Sequence, residues 1–201
     1  DTKAFYDCSS LTSLAIPNSI KHVGDNAIAG KSSLTAITLT APSIENYCEG
    51  QLNKLLWQAG CAIPRILQIG DNKPSDIIIP DMVSKISDYA FYNCSSLTSI
   101  TIPNSIESIG VNAFSECSLL KDITIPSSVI SLGKSVFENC ISLISAAVGN
   151  GITSLDNSTF LGCSSLKSVT LGGKIVNIGE NVFSGFGCAG TGGFGFIPGS
   201  M

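Results

Sequence analysis

The 201-residue chain has little charge and no long apolar run. Charged residues make up 13% of it, about half the share of roughly 25% in average proteins, whereas hydrophobic residues make up 44%. Disordered chains have the opposite composition, so this chain is expected to fold. Eleven basic residues against fifteen acidic ones give a formal net charge of −4, which provides no positive field for nucleic acid. Without a long apolar run, insertion into a membrane is not expected.

Histidine is nearly absent, since His22 is the only one in the chain. A single histidine excludes two-histidine catalytic schemes and most zinc sites, and no Cys-x-x-Cys pair is present to hold a structural zinc. No repeated environment around His22 supplies a serine or cysteine nucleophile. We therefore predict a non-enzymatic protein with no catalytic residue, no metal and no cofactor, in which His22 lies on the surface.

What the chain does contain is a repeat of 23 residues that begins with cysteine. The segment 94–116 reads CSSLTSITIPNSIESIGVNAFSE, and 117–139 reads CSLLKDITIPSSVISLGKSVFEN. The same pattern recurs in 8–30, 71–93 (without the cysteine), 140–162 and 163–185. Neither a helical nor a strand period extends through the whole unit. A fixed period of this length indicates a solenoid, in which neighbouring coils cover each other's apolar side chains.

Each position of the repeat has a predicted role within one coil. Ile100-Thr101-Ile102 predicts a short strand with one buried face, which the following Pro103 ends because proline cannot donate to a ladder. A shared glycine, such as Gly110, is expected at a bend with positive φ. The Ala113-Phe114 pair is expected on a short helical turn, with the equivalent phenylalanines stacked in a column. The leading cysteines are expected to be buried thiols that act as small apolar side chains.

Residues 41–70 depart from the repeat and contain the only tryptophan. They predict an enlarged, divergent coil that carries a helix of about three turns. Tyr47, Trp57 and Arg65 are candidates for an exposed knob that binds a partner; alternatively, the apolar groups of this segment fold back onto the solenoid. Cys48 and Cys61 form a possible disulfide. The segment 186–201 is predicted to be a glycine-rich tail.

The run C-S-S-L-x-S-I-x-I-P-x-S-[VI]-x-x-I-G-x-x-A-F closely resembles the BspA-like leucine-rich repeat, and the resemblance covers roughly 150 residues. It implies an α/β fold, namely a right-handed leucine-rich-repeat solenoid of about seven coils. A parallel strand sheet would form one face, with short strands and helical turns on the other. We expect a single domain over 1–201, with the first repeats in 1–40 and regular repeats in 71–185. The resemblance also implies an extracellular or cell-surface location and a role in adhesion.

The outward strand positions predict a flat ladder of small, mostly hydroxylic side chains. The candidate binding face consists of Asp76, Ser99, Thr101, Asp122, Thr124, Ser168 and Thr170. We interpret the chain as a module for protein–protein interaction or adhesion, whose partner is a host matrix or cell-surface protein or a glycan. Because the face has few aromatic or arginine anchors, a solvated structural face is the alternative. A structural spacer or stalk, with end-to-end self-association, is the second functional hypothesis.

Overall fold

A computed structural model describes residues 3–28, 33–49, 52–58, 61, 63–69, 72–185 and 197–198. It shows a solenoid of parallel strands with about seven turns and few helices. In chain order the elements are β1 (Ala15–Pro17), β2 (Ile37–Ala41), α1 (Ile44–Glu49), α2 (Leu52–Gln58), β3 (Arg65–Ile69), β4 (Asp76–Ile78), β5 (Lys85–Ile86), β6 (Ser99–Thr101), β7 (Ser108–Ile109), β8 (Asp122–Ile125), β9 (Ser131–Leu132), β10 (Ser145–Val148), β11 (Ser154–Leu155), β12 (Ser168–Leu171), β13 (Asn177–Ile178) and β14 (Ile197–Pro198).

One row of parallel strands carries the outward ladder predicted from the repeat. It consists of the sheets β4-β6 and β8-β10-β12-β14, whereas β1, β2 and β3 form a sheet of their own in which β3 pairs with β2. In β10, Ser145 pairs with Asp122 of β8 on one side and with Ser168 of β12 on the other. These partners are equivalent positions of consecutive repeats, so the repeat length sets the register. Of the glycine-rich tail, only β14 lies within the described residues, and it pairs with β12.

A second row of shorter parallel strands lies on the return path of the coils, in the sheets β5-β7-β9 and β11-β13. The segment after this row is a series of turns, so the predicted helical turn is wrong. Asn112 has a φ of 53°, a left-handed conformation that a helix does not contain. Ala113 N–H donates to Gly110 O of its own coil (3.4 Å), whereas Phe114 N–H donates to Val136 O of the next coil (3.0 Å). Backbone hydrogen bonds to the next coil therefore take the place of the hydrogen bonds within the coil that would continue a helix.

The interior contains the predicted column of phenylalanines. Its members are Phe91, Phe114, Phe137, Phe160 and Phe183. Neighbouring ring centroids lie 5.2 to 5.9 Å apart, and their planes differ by no more than 9°. This offset stacking adds to the stabilisation that burial of the rings provides.

The leading cysteines of the regular repeats are buried thiols, as predicted. Cys117 Sγ donates to Phe91 O of the preceding coil (3.0 Å), and Cys140 Sγ donates to Phe114 O in the same way (3.2 Å). Cys163 repeats the contact with Phe137 O at 3.1 Å. The thiols therefore fill the core and also bind the backbone of the neighbouring coil, a role that their apolar character alone does not predict.

The shared glycines are required by close contact between coils, and the prediction of positive φ is wrong for them. Among the described glycines, only Gly162 (73°) and Gly185 (84°) have positive φ. A Cβ added to Gly133 would lie 2.6 Å from Val111 N and 2.7 Å from Gly110 C. A side chain at Gly133 would therefore displace the backbone of the coil beneath it.

The divergent segment differs from its prediction in two ways. Its described residues contain the two short helices α1 and α2 instead of one helix of about three turns. They also contain β3, which pairs with β2 through Arg65 and Ile37. The chain then reverses, since Ile69 and Asn72 exchange backbone hydrogen bonds of 2.8 and 3.0 Å. Arg65 bridges to Cys94, so it occupies the place beneath Cys94 that a cysteine at residue 71 would otherwise take.

Candidate functional site

The outward strand positions are exposed, as the alternating pattern predicts. In β6, Ser99 and Thr101 are exposed while Ile100 between them is buried. The same alternation exposes the rest of the candidate face, apart from Thr170, which is half-buried; its other members are Asp76, Asp122, Thr124 and Ser168. Whether this strand face binds a partner stays a prediction.

Hydroxyl groups of the next coil hold both carboxylates of the strand face. Thr98 Oγ1 donates to Asp76 Oδ1 (2.8 Å), and Ser145 Oγ donates to Asp122 Oδ1 (2.6 Å). These bonds connect neighbouring coils at the surface and restrict the carboxylates to defined positions. The face therefore presents fixed negative charge within a largely neutral row.

Two of the three candidates for an exposed knob, Tyr47 and Arg65, are buried, in agreement with the alternative in which the segment folds back onto the solenoid. Tyr47 is 2% exposed and Arg65 is 0% exposed, while the side chain of Trp57 lies outside the described residues. The Tyr47 hydroxyl donates to Leu39 O, and Gln68 N–H donates to the Tyr47 hydroxyl (3.1 Å). Because its polar end finds backbone partners, Tyr47 can be buried at little cost, and burial raises its pKa well above the ordinary range.

Two backbone carbonyls accept hydrogen bonds from the buried guanidinium of Arg65, whose Nε has no hydrogen-bond partner among the described residues. Its Nη1 donates to Ile63 O (2.8 Å) and its Nη2 donates to Cys61 O (2.9 Å). The guanidinium carbon also lies 5.3 Å from the centroid of the Tyr92 ring, in a cation–π contact. Arg65 therefore stabilises the divergent coil from within and does not face a partner.

Cys48 and Cys61, the possible disulfide pair, are both buried free thiols in the structure. Cys48 lies on α1. Cys61 is held separately, since its N–H donates to Leu56 O (2.9 Å) and its carbonyl accepts Arg65 Nη2. Both side chains contribute to the apolar core of the divergent coil.

A groove of about 340 Å³ lies where the divergent coil meets the strand face. Its walls come from the turn between β2 and α1, from the end of β3 and its reversal, and from β4. The lining residues are Pro42, Ser43, Ile44, Glu45, Ile69, Pro74, Asp76, Ile77 and Ile78. We call this concavity the β4 groove. Its one sequence signal is Ile78, which is 75% exposed at a strand position where Thr101 and Thr124 stand in later coils.

The charged groups of the β4 groove are both carboxylates, Glu45 and Asp76. Hydrogen bonds from the Ser43 side chain and from the backbone N–H of Glu45 lower the pKa of Glu45, which keeps this carboxyl ionised. A second cavity, of about 360 Å³, lies beside the return-path strands and contains the Lys54–Asp88 ion pair (3.2 Å). Lys85 lines that cavity as well, so its net charge is positive and opposite in sign to that of the β4 groove.

Neither a metal centre nor a membrane span is found in the part of the chain that the structure describes. No three His, Cys, Asp or Glu side chains come together there in a way that could hold a metal ion. No described helix has both the length and the apolar character needed to cross a bilayer. His22 is exposed, as predicted.

The repeat pattern matches the family model described as the BspA type leucine rich repeat region. Six copies match, over residues 1–55 and 71–189. The chain belongs to the BspA-type leucine-rich repeat family. Repeats of this family generally serve as non-enzymatic scaffolds. The unmatched gap, 56–70, lies within the divergent segment and contains the end of α2 and the whole of β3.

Solved bacterial structures resemble this BspA-type chain. A leucine-rich repeat protein of T. pallidum is 26% identical with a TM-score of 0.49, and the match covers 86% of this chain and 75% of that one. A leucine rich cell surface protein of Faecalibacterium prausnitzii is 25% identical with a TM-score of 0.51, covering 91% and 53%. A leucine-rich repeat protein of Eubacterium ventriosum, at 17% identity and a TM-score of 0.51, covers 94% and 68% and supports the fold alone. No curated protein matches the chain in sequence.

Proposed function

We propose that this BspA-type protein is a non-enzymatic interaction module that acts outside the cell or at its surface. It binds a host matrix or cell-surface protein, or a glycan, along the strand face. The observation that carries the proposal is the exposure of one row of strand positions from coil to coil, with small side chains that allow close approach of a partner. The name of the F. prausnitzii protein, which places that protein at the cell surface, supports the location.

A binding assay with matched variants tests the role of the strand face. The purified protein is presented to immobilised extracellular-matrix proteins, to epithelial cells and to an oligosaccharide panel. Thr101→Arg with Thr124→Arg places bulky charge on the strand face, and Ser131→Arg with Ser154→Arg places the same charge on exposed positions of the return path. Loss of binding in the first variant alone supports the proposal. Equal binding by both variants, or no binding by the native protein, contradicts it.

The spacer or stalk is the second candidate function, and the constant register between coils favours it. Equivalent positions of consecutive repeats pair with each other, as Ser145 does with Asp122 and Ser168, so each added repeat lengthens the row of strands. A second copy that continued this register would extend the solenoid end to end. Sedimentation velocity over a range of concentrations tests this: growth of the particle with concentration is expected for a stalk. A strict monomer that still binds matrix or cells rules it out.

A further inference from the structure

The β4 groove has apolar walls beside an exposed aliphatic rim. Ile44, Ile69 and Ile77 form the walls together with Pro42 and Pro74, and Ile78 stands at the rim. Ile78 is 75% exposed, and it is the large aliphatic side chain most open to solvent on the described strand face. Interfaces concentrate their binding energy in pockets of this kind, where a side chain of the partner becomes fully desolvated. The groove therefore supplies the anchor that the small hydroxylic ladder lacks.

The size of the β4 groove restricts what can occupy it. At about 340 Å³ it is near the lower end of the range of about 300–1,000 Å³ for small-molecule sites. It is open on the side of the strand face, since Asp76 and Ile78 belong to both surfaces. One or two side chains of a larger partner that lies along the strand face would fill this volume.

The charge of the groove further restricts which partner segments can bind there. Glu45 and Asp76 line it, and no lysine, arginine or histidine does. Thr98 Oγ1 fixes Asp76 from the next coil, so this carboxylate keeps its place without a cation. Two carboxylates beside apolar walls complement a lysine or arginine next to an aliphatic residue and repel an acidic segment.

We propose that the β4 groove binds a segment of a partner protein in which an aliphatic side chain packs on Ile77 and Ile78 while an adjacent lysine or arginine meets Glu45 and Asp76. The inference rests on the proposed function as an interaction module and names the chemistry of its partner. Protein, not glycan, is the occupant, because a sugar offers no aliphatic side chain to pack beside a cation.

Selection from a random heptapeptide library on the immobilised full chain tests the inference. We expect enrichment of heptapeptides that combine leucine, isoleucine, valine or methionine with a neighbouring lysine or arginine. Their affinity, measured by fluorescence anisotropy, should fall about tenfold or more in Glu45→Gln/Asp76→Asn and fall with rising salt. Ile78→Ser should lower the affinity for the same peptides.

Two control variants carry the same kinds of substitution at exposed sites outside the groove. Asp25→Asn/Glu107→Gln removes the same charge from exposed sites, and Ile130→Ser removes an aliphatic side chain that is 69% exposed. Both should bind the peptides like the native protein, and circular dichroism should show that all variants fold. Enrichment of acidic or purely apolar peptides, equal losses in the controls, or binding of oligosaccharides without any heptapeptide overturns the inference.

The matrix and cell assay separates failure of this inference from failure of the proposed function. If the native protein binds matrix or cells through Thr101 and Thr124 but selects no basic–aliphatic peptide, the groove inference fails and the interaction module stands. If the peptides bind the groove but no matrix protein, cell or oligosaccharide binds, the strand-face function fails while the groove inference stands.

Discussion

Single residues of the repeat titrate and pack according to their burial, and the cysteines show this most clearly. Burial raises the pKa of the Cys94 and Cys163 thiols from an ordinary 9.0 to about 12. Between these values the unfolded chain releases thiol protons that the folded chain retains. Stability should therefore be complete below about pH 9 and fall as the pH rises, by about 1.4 kcal/mol per pH unit for each such thiol. Urea unfolding of Cys163→Ala across this range should show a shallower decline than the native protein.

Val182→Ala provides the control for this pH dependence. Val182 is buried in the same coil as Cys163 but does not ionise, so its truncation should lower the free energy of unfolding without changing its slope against pH. If the free energy of unfolding fell equally steeply with pH in the native protein and in Cys163→Ala, the folded protein would not be retaining the Cys163 proton.

Alanine substitutions at Gly133 and Gly173 distinguish steric crowding between coils from the conformational freedom that glycine gives the unfolded chain. In Gly133→Ala the new Cβ would meet the Val111 backbone at 2.6 Å, whereas at Gly173 nothing lies within 4 Å. We expect Gly133→Ala to destabilise the protein by about 1–3 kcal/mol through overpacking. Gly173→Ala should be neutral or stabilise it by up to about 1 kcal/mol, because alanine restricts the unfolded chain. Denaturant midpoints measure both, and equal midpoints would show that the coils separate easily.

At the scale of elements, the strands were predictable because each coil repeats the same buried and exposed positions. The turn after each glycine was not, since Ala113-Phe114 looks locally helical and only the hydrogen bond to Val136 of the next coil shows otherwise. The sequence conceals β3 for a related reason. Arg65 replaces the cysteine that marks a coil, and the reversal at Ile69 and Asn72 interrupts the period.

The candidate site likewise has one part that the sequence predicts, the outward strand face, and one part that it does not, the β4 groove. The outward face followed from strand alternation, because a period of two places Ser99 and Thr101 on one side. The β4 groove could not be predicted, because its walls come from three segments that meet only through the reversal after β3. Arg65 was misassigned to the surface because its acceptors are backbone carbonyls, which no sequence pattern displays.

The phenylalanine column is the element whose energy depends most clearly on stacking. Phe137 lies between Phe114 and Phe160, at 5.5 and 5.4 Å, and is fully buried. Phe137→Ala should cost about 3–5 kcal/mol, the usual range for a phenylalanine removed from a core. Phe183 is only partly buried and packs 5.9 Å from Phe160, so Phe183→Ala should cost less. Equal losses in urea unfolding would mean that the column contributes no more in its middle than near its end.

The whole molecule is a stack in which each coil contacts its neighbours at equivalent positions. Its stability is therefore close to a sum of coil and interface contributions, and one coil is removable if the register is kept. Deletion of 117–139 removes one repeat and would place Phe160 against Phe114 and Cys140 beneath Cys163 as before. We expect this variant to fold with a lower free energy of unfolding and an unchanged β4 groove, since that groove lies in 42–78.

Deletion of 117–138 is the matched control, because it leaves one residue too many between β6 and β10. This one-residue shift would set the buried Ala146 of β10 opposite the exposed Thr101 of β6, whereas the whole-repeat deletion sets it opposite the buried Ile100. We expect the control to lose cooperative urea unfolding while the deletion of 117–139 retains it. Similar unfolding of both deletions would show that the period of the sequence does not hold the coils in register. If only the whole-repeat deletion folds cooperatively, the 23-residue period sets the register, and the row of strands can lengthen or shorten by whole coils.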